Sequence, residues 1–298
     1  MRVFITGATG FIGSAVVKEL IAAGHHVIGL CRSESKAKGL VAGGAEVFTG
    51  SVEDEARLKQ GVARSDGVIH LAFNHDFSKF AANCADDGRV INVLATALGS
   101  SNRPLIVTSG TAIAHAPPGE LSRETSATAT SAMHPRALSE ETARAAAASG
   151  VNVSVVRLPQ VHDTTRQGLI SPAIQAYRAK GECCYVGNGG NRWPAAHVLD
   201  VARVYRLAIE RAERNAVYHA VAEEGVPMRA VAETVAKRLA LPVRSIAPEE
   251  APAFFGWLGM FAALDMPSSS ALTRSKLGWT PTGPTLLADL TNLQLTGD

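Results

Sequence analysis

Two side chains able to do chemistry flank a proline in the stretch TSAMHPRALSEE, residues 130–141. His134 can exchange a proton near neutral pH, and Arg136 carries a permanent charge that can bind an oxyanion. Because proline fits the first turn of a helix, we expect both to lie where a loop enters a helix. Two hydroxyls upstream, Ser109 and Thr111, could hold a carbonyl oxygen, although Ser and Thr also cap strand ends. These four residues form the candidate catalytic set.

A glycine-rich segment, TGATGFIG, follows the first apolar segment of the chain. Gly7, Gly10 and Gly13 match the needs of a dinucleotide site, which are a tight turn, close approach of the backbone to a pyrophosphate, and close packing of helix on sheet. The N-terminus of the helix that follows would add partial positive charge for the phosphates. The spacing therefore predicts a dinucleotide-binding turn.

The end of the second apolar segment, GLCRSESKAK, bears on which dinucleotide binds. An acid there usually binds the ribose 2′-hydroxyl of NAD, but this chain has Arg32 and Ser33, and the nearest acid is Glu34. Because a cation suits a 2′-phosphate, we predict a preference for NADP. The alternative is that Arg32 is a solvated surface side chain.

Apolar segments alternate with helical patterns along the first half of the chain. The strand patterns cover residues 3–6, 26–31, 45–50, 67–73, 104–110 and 151–159. Continuously apolar strands separated by helices are typical of a parallel sheet covered on both faces. We predict an α/β protein with a Rossmann-type doubly wound parallel sheet over residues 1–160 and a further strand near 216–222. Residues 161–298 are expected to form mainly a smaller C-terminal substrate-binding lobe, interleaved with the sheet domain.

Composition and charge exclude several classes of protein. Hydrophobic residues make up 46% and charged residues 19% of the chain, as in ordinary soluble globular proteins. The net charge of +2, without a dense Lys/Arg run, predicts neither a nucleic-acid nor a membrane partner. The N-terminus enters a strand directly, which predicts no signal peptide. Four cysteines without a CxxC pair indicate reduced thiols, a cytoplasmic location and no metal site.

Several segments together resemble the extended short-chain dehydrogenase/reductase family, the NAD-dependent epimerase/dehydratase group. They are TGATGFIG, SDGVIHLAF, LIVTSGTA, VVRLPQVH, AAHVLDVARVYRLAIE and KLGWTP, which occur in this order across nearly the whole chain. The resemblance implies a Rossmann domain with a substrate lobe, a small-molecule substrate and, by analogy, a homodimer. It also implies cofactor contacts from Gly7, Thr9, Gly10, Phe11, Ile12, Gly13, Arg32, Ser33, Val52, Leu71, Ala72, Phe73, Thr108, Ser109, Arg136, Pro159 and Val161.

In that family the chemistry depends on a Ser or Thr, a Tyr, and a Lys four residues after the Tyr. The Tyr exchanges a proton with the substrate oxygen while hydride moves to or from the nicotinamide. Here the first Tyr is Tyr177, and no Lys occurs between Lys79 and Lys180. The usual pair is therefore absent from the helix where the resemblance would place it.

Two registers remain open for the replacements. Matching Glu140 to the family's helix Glu puts Ala132 at the Tyr position and Arg136 at the Lys position. Matching His-Pro-Arg to the family's frequent Tyr-Pro-Arg puts His134 at the Tyr position and Leu138 at the Lys position.

We therefore expect an NADP-dependent oxidoreductase of atypical short-chain type, acting on a small apolar carbonyl or conjugated substrate. Its proton would come from water or from a group such as His134. One alternative is a non-catalytic NADP-binding redox sensor. A sugar-nucleotide epimerase or dehydratase is less favoured, because such reactions depend on the Tyr.

Overall fold

The computed structural model describes residues 1–294 of the chain. Its strands are β1 (Arg2–Thr6), β2 (His26–Cys31), β3 (Glu46–Thr49), β4 (Gly67–His70), β5 (Leu105–Gly110), β6 (Val153–Leu158), β7 (Gln160–His162), β8 (Cys183–Val186), β9 (Arg192–His197), β10 (Val217–His219), β11 (Glu223–Pro227) and β12 (Val243–Ile246). Its helices are α1 (Phe11–Ala22), α2 (Glu34–Ala42), α3 (Glu55–Ala63), α4 (Phe80–Leu98), α5 (Leu138–Ala148), α6 (Ile170–Lys180), α7 (Val198–Arg211), α8 (Met228–Leu239), α9 (Ala251–Phe255), α10 (Gly259–Ala262), α11 (Ala271–Leu277) and α12 (Leu286–Thr291).

Seven parallel strands form the central sheet, in the order β3, β2, β1, β4, β5, β6, β10. The predicted Rossmann-type doubly wound sheet is confirmed. The strand order reverses between β1 and β4, which pair side by side at Ile5 and Ile69. In open α/β sheets, ligands bind outside the carboxyl ends of the strands at such a reversal. The segments that follow β1 and β4 therefore define where a site should lie.

Alternating side chains of each central strand fill two separate hydrophobic cores. In β1, Val3 and Ile5 pack with apolar residues of α1 and α7, whereas Phe4 faces α3 and α4. All three side chains are completely buried. Because both faces of the strand are covered by helices, the strand can be apolar throughout, which is why its sequence reads as one continuous apolar run.

The later part of the chain builds a third core around Tyr177 and Trp193, with side chains from α6, α8, α9 and α12. Two small sheets support this core, one of β7, β9 and β11 and the other of β8 and β12. The chain nevertheless returns to the main sheet with β10, which pairs with β6. The division of the chain at residue 160 stays a prediction. None of the helices within residues 1–294 has both the length and the apolar content needed to cross a bilayer.

Candidate cofactor and active site

The glycine-rich turn lies between β1 and α1, and its three glycines have different structural reasons. Gly7 has φ +71°, and a Cβ there would lie 2.7 Å from the backbone nitrogen of Ala72. A Cβ on Gly13 would lie 2.0 Å from the carbonyl oxygen of Gly7. Gly10 has φ −77°, and a Cβ added there would contact only the carbonyl oxygen of Gly7, at 3.2 Å. The protein's own packing thus explains Gly7 and Gly13, whereas Gly10 keeps open the space beside the N-terminus of α1.

The first turn of α1 is suited to an anion. Its N-cap is Gly10, which makes no side-chain cap hydrogen bond, and the turn contains no acidic residue. The backbone N–H groups that begin at Phe11 therefore keep their partial positive charge available. Arg32 follows β2 at the same edge of the sheet, with an exposed side chain that has no partner within residues 1–294.

A buried polar network lies beside this turn, centred on a carboxylate that no sequence motif indicated. Asp87 of α4 accepts hydrogen bonds from Nη1 of Arg136 at 2.6 Å and from Oγ of Ser139 at 2.6 Å. Its other oxygen is 3.1 Å from Nε2 of His70. Arg136 also donates from Nη2 to the carbonyl oxygen of Thr108, at 2.9 Å. Arg136 is therefore held at the carboxyl end of β5 and is not a solvated residue of the first turn.

The ionisation of Asp87 fixes the direction of these hydrogen bonds. Burial alone would raise its pKa, but the Arg136 guanidinium, together with His70 and Ser139, holds the pKa well below its usual range. Because an ionised carboxylate can only accept, His70 donates from Nε2, and its Nδ1 forms a hydrogen bond with the hydroxyl of Thr6 at 2.6 Å. The network thus joins β1, β4, α4 and α5 at the point where the strand order reverses.

A sequence signal for Asp87 exists in the pattern of α4. Cys84, Asp87, Ile91, Leu94 and Leu98 recur at helical spacing, and all five are buried. A carboxylate on an otherwise apolar stripe needs a buried partner, because burying an unpaired charge is costly. That argument would have predicted a cationic partner for Asp87, although not which one.

A tyrosine does lie next to the site, but its proton is already committed. The hydroxyl of Tyr205, from α7, is 2.8 Å from Oγ1 of Thr108. Thr108 itself donates to the carbonyl oxygen of His70 at 2.6 Å, so Tyr205 must be the donor to Thr108. Tyr205 is completely buried, and burial raises its pKa. Tyr205 therefore supports β5 from the core and does not replace the missing Tyr.

Two of the predicted catalytic residues carry buried polar atoms without a hydrogen-bond partner in the described part of the chain. They are Oγ of Ser109 and Nδ1 of His134. Leaving such an atom unpaired costs about 1–3 kcal/mol, so it marks a place where a ligand or water is expected. Thr111 differs, because its hydroxyl donates to the carbonyl oxygen of Leu158 at 3.3 Å. The capping interpretation therefore suits Thr111, and the ligand interpretation suits Ser109.

His134 is held at the entrance to α5 by its backbone and its ring. Its N–H donates to the carbonyl oxygen of Thr130 at 2.9 Å, and its ring meets Phe80 edge-on at 5.9 Å. Burial lowers the pKa of His134, and the charge of Arg136 lowers it further. The imidazole is therefore mainly neutral at neutral pH.

An aromatic cluster, formed by Phe73, Phe77, Phe80 and Trp257, continues from His134 and Arg136. The Arg136 guanidinium lies 4.3 Å from the centre of the Phe73 ring, and Phe77 stacks on Trp257 at 4.0 Å with an angle of 10° between the rings. Phe80 contacts both Phe73 and Phe77. Trp257 is still 38% exposed. The cluster gives the site an apolar, aromatic border.

Glu140 and Arg157, on which one of the two registers is based, form an ion pair. The Arg157 guanidinium donates to both carboxylate oxygens of Glu140, at 2.7 and 2.8 Å, and the pair is buried. This pair holds α5 against β6 but involves neither His134 nor Arg136, so both registers stay open.

The remaining predicted cofactor residues follow the carboxyl ends of the sheet strands. Thr9, Phe11 and Ile12 come after β1, Ser33 after β2, Val52 after β3, Leu71, Ala72 and Phe73 after β4, and Pro159 after β6. Val161 lies in β7 and is buried in the core shared with α1 and α7. The structure brings these segments to one edge of the sheet, and their contacts with a cofactor stay a prediction.

A glycine-rich turn at the reversal of a parallel sheet, with polar groups at the carboxyl ends of β4 and β5, defines a dinucleotide-binding α/β enzyme of the Rossmann type. The family model described as "NAD dependent epimerase/dehydratase family" matches residues 3–222. The chain therefore belongs to that family, and the resemblance inferred from its sequence motifs is confirmed.

The chain is also similar to known proteins and solved structures. The chain is 45% identical over 291 residues to an uncharacterized protein of Schizosaccharomyces pombe, a match that covers 97% of this chain and 98% of the relative. It is 31% identical over 259 residues to the 2′-dehydrokanamycin reductase of Streptomyces kanamyceticus, covering 83% of this chain and 69% of that protein. Among solved structures, the dTDP-glucose 4,6-dehydratase of Streptomyces venezuelae with NAD and TYD bound has a TM-score of 0.79 at 19% identity, over 98% of this chain and 95% of that chain. The last similarity shows the fold alone.

Proposed function

We propose that the protein is an NADP-dependent oxidoreductase that reduces or forms a small, apolar carbonyl or conjugated compound without a Tyr/Lys pair. The observation that carries the proposal is the pair of unpartnered buried atoms, Oγ of Ser109 and Nδ1 of His134, in a site whose cationic residue is already fixed. A buried donor that the protein leaves unpaired can bind the carbonyl oxygen of a substrate, and an unpaired acceptor can bind its hydroxyl.

The residues present fit a nicotinamide dinucleotide. Gly10 leaves the backbone beside α1 free for a pyrophosphate, and Arg32 offers an unpaired guanidinium for a 2′-phosphate. A bound NADP would supply or accept the hydride. The similarity to a reductase supports the oxidoreductase assignment. Residues 1–160 with β10 are proposed to hold the cofactor, and the rest of the chain to cover the substrate.

The chain's own residues then handle the substrate oxygen. Ser109 is proposed to donate a hydrogen bond to the oxygen, in the role that the family gives to its hydroxyl residue. In reduction the oxygen must gain one proton, which His134 or a water beside it delivers. Arg136, fixed by Asp87, keeps one positive charge at the end of β5 whatever the pH. The aromatic cluster favours an apolar substrate over a sugar nucleotide.

Substrate turnover tests this function directly. NADPH oxidation should be measured with the wild-type protein on a panel of apolar aldehydes, ketones and enones. Removing one donor to a developing oxyanion lowers kcat about 10²–10³-fold, and we expect a loss of this order for Ser109→Ala. The matched control is Ser149→Ala, since that exposed hydroxyl bonds only to a carbonyl of its own helix. NADPH binding without turnover of any compound would argue against the function.

A redox sensor is the second candidate, because the usual proton donor is absent. A sensor should bind NADPH and NADP⁺ with clearly different affinities and should neither oxidise nor reduce them. Titration calorimetry with both forms distinguishes a sensor from an oxidoreductase. A cytoplasmic location and a homodimer stay predictions, which fractionation and the mass measured in solution would test.

A further inference from the structure

We infer that Arg166, in the loop between β7 and α6, is a ligand of the cofactor pyrophosphate. The inference rests on the dinucleotide site of the proposed function, but not on the preference for NADP or on Ser109 and His134. No sequence motif indicated Arg166, and it comes from a different part of the chain from the glycine-rich turn.

The position of Arg166 relative to α1 is the first argument. Its guanidinium carbon lies 5.9 Å from the centre of the Phe11 ring. Phe11 is the first residue of α1 and directly follows Gly10, where a Cβ would meet only one atom of the protein, the carbonyl oxygen of Gly7 at 3.2 Å. A cation so near the N-terminus of a helix adds to the partial positive charge there. Two positive groups side by side are unfavourable unless an anion lies between them.

The second argument is the state of the side chain. The Arg166 side chain is exposed, and its guanidinium makes no hydrogen bond or ion pair with any residue in the range 1–294. A contact of 5.9 Å with an aromatic ring is near the outer limit of a cation–π interaction, so it orients the guanidinium without occupying its N–H groups. All five donors remain available, in the planar arrangement that suits phosphate oxygens.

The third argument is that the loop fixes the backbone of Arg166. Asp163 accepts hydrogen bonds from the backbone N–H of Thr165 at 2.6 Å, from its hydroxyl at 2.7 Å, and from the N–H of Arg166 at 2.8 Å. The N–H of Asp163 donates in turn to the carbonyl oxygen of Arg166 at 2.8 Å. Oδ1 of Asp163 is thereby used within the loop, and no ion pair joins the Asp163 carboxylate to the Arg166 guanidinium. Because only the side chain has to be ordered on binding, the cost in entropy is small.

The experiment compares dissociation constants for NADPH, NADH and ADP-ribose, measured by titration calorimetry without substrate. All three ligands contain the pyrophosphate, and only NADPH carries the 2′-phosphate. Arg166→Ala should weaken all three by the same factor, about tenfold, because one charge-assisted contact to a diphosphate is lost. Arg166→Lys keeps the charge but not the planar guanidinium, so its loss of affinity for the three ligands should be smaller than that of Arg166→Ala. The effect should shrink at high salt.

Two further variants make the comparison specific. Arg123→Ala removes another exposed arginine whose side chain has no partner within residues 1–294, and it should bind all three ligands like the wild type. Arg32→Ala should weaken NADPH alone. Unchanged melting temperatures would show that the variants fold.

The outcomes separate the inference from the proposed function. If the wild type prefers NADH, yet Arg166→Ala weakens all three ligands equally, the NADP preference is wrong and the pyrophosphate assignment stands. If Arg166→Ala binds all three ligands within about twofold of the wild type while Arg32→Ala weakens the binding of NADPH alone, the pyrophosphate assignment is wrong and the NADP preference stands. An Arg166→Ala effect on NADPH only, or an equal loss in Arg123→Ala, would also overturn the inference.

Discussion

Removing the carboxylate of Asp87 should destabilise the protein more than almost any other single change near the site. In Asp87→Ala, the Arg136 guanidinium loses its ion-pair partner while its side chain is only 14% exposed. The hydroxyl of Ser139 and the Nε2–H of His70 lose an acceptor at the same time. In the wild type the Asp87 carboxylate binds the Arg136, Ser139 and His70 groups, and it is itself only 2% exposed.

The size of the effect follows from these contacts. Removing one partner of a buried ion pair lowers the free energy of unfolding by about 3–5 kcal/mol. Because Arg136 is partly exposed, we expect a loss near the lower end of this range. The orphaned His70 N–H adds about 1 kcal/mol. We therefore expect a loss of about 4 kcal/mol from a free energy of unfolding that is typically about 5–15 kcal/mol.

Urea unfolding at neutral pH, followed by far-UV circular dichroism, measures this loss. The matched control is Asp86→Ala, since Asp86 is the neighbouring carboxylate and is exposed; it should change the stability by less than about 0.5 kcal/mol. Arg136→Met gives the other half of a double-mutant cycle. Combining Asp87→Ala with Arg136→Met should cost less than the sum of the single changes by about 2 kcal/mol or more, because neither charge is then left alone.

The pH dependence of stability in Arg136→Met gives a second test. In Arg136→Met the buried carboxylate loses its main stabilising charge, so its pKa in the folded protein should rise above the unfolded value. A group with a raised folded pKa stabilises the protein below its unfolded pKa, and this contribution is lost as the pH rises through the folded pKa, so the stability deficit of this variant relative to the wild type should shrink as the pH is lowered. Equal losses in Asp87→Ala and Asp86→Ala, or strictly additive effects in the cycle, would refute the reasoning.

Three other predictions give further checks, with four variants. Gly10→Ala should lose only about 1 kcal/mol of stability, because Ala is a poorer N-cap than Gly and its Cβ would lie 3.2 Å from a carbonyl oxygen, but it should bind NADPH at least about tenfold more weakly. Gly13→Ala, whose Cβ would lie 2.0 Å from a carbonyl oxygen, should lower the melting temperature much further; equal stability of the two variants would contradict this. If protonated His134 is the proton donor, kcat/KM for carbonyl reduction should fall as the pH rises through its pKa, which burial holds below 6.5, and His134→Gln should show no such fall. Burial lowers the pKa of His219 to about 4 from 6.5. Its contribution to stability should therefore be complete above 6.5 and be lost as the pH falls towards 4, and urea unfolding across this range should show a smaller loss in His219→Gln.

The sheet was predictable from the sequence because its strands are apolar on both faces. The patterns at 26–31 and 104–110 agree with β2 and β5 to within one residue. The predicted strand at 67–73 is too long, since β4 ends at His70 and the chain then turns towards the site. Strands β7, β8, β9, β11 and β12 were not predicted, because they are only three to six residues long and lie among polar residues, prolines and glycines.

The site was predictable only where a motif marks it. The glycine-rich turn and the loss of the Tyr/Lys pair are visible in the sequence. The pairing of Arg136 with Asp87 joins residues 49 apart in the chain, and no local pattern specifies such a contact. Asp86 and Asp87 are adjacent and chemically alike, so only their positions around the axis of α4 determine which one is buried.

The place of β10 in the sheet has a consequence for how the protein is made. β10 covers the outer side of β6, and the N–H of Val155 bonds to the carbonyl oxygen of Ala216 at 2.9 Å. Until the ribosome has passed residue 219, β6 is an apolar strand with an open edge, which is a template for aggregation. At about 5–20 residues per second, that edge stays uncovered for several seconds of translation. Correct biogenesis therefore depends on Val217–His219 reaching β6 before a strand of another nascent chain does.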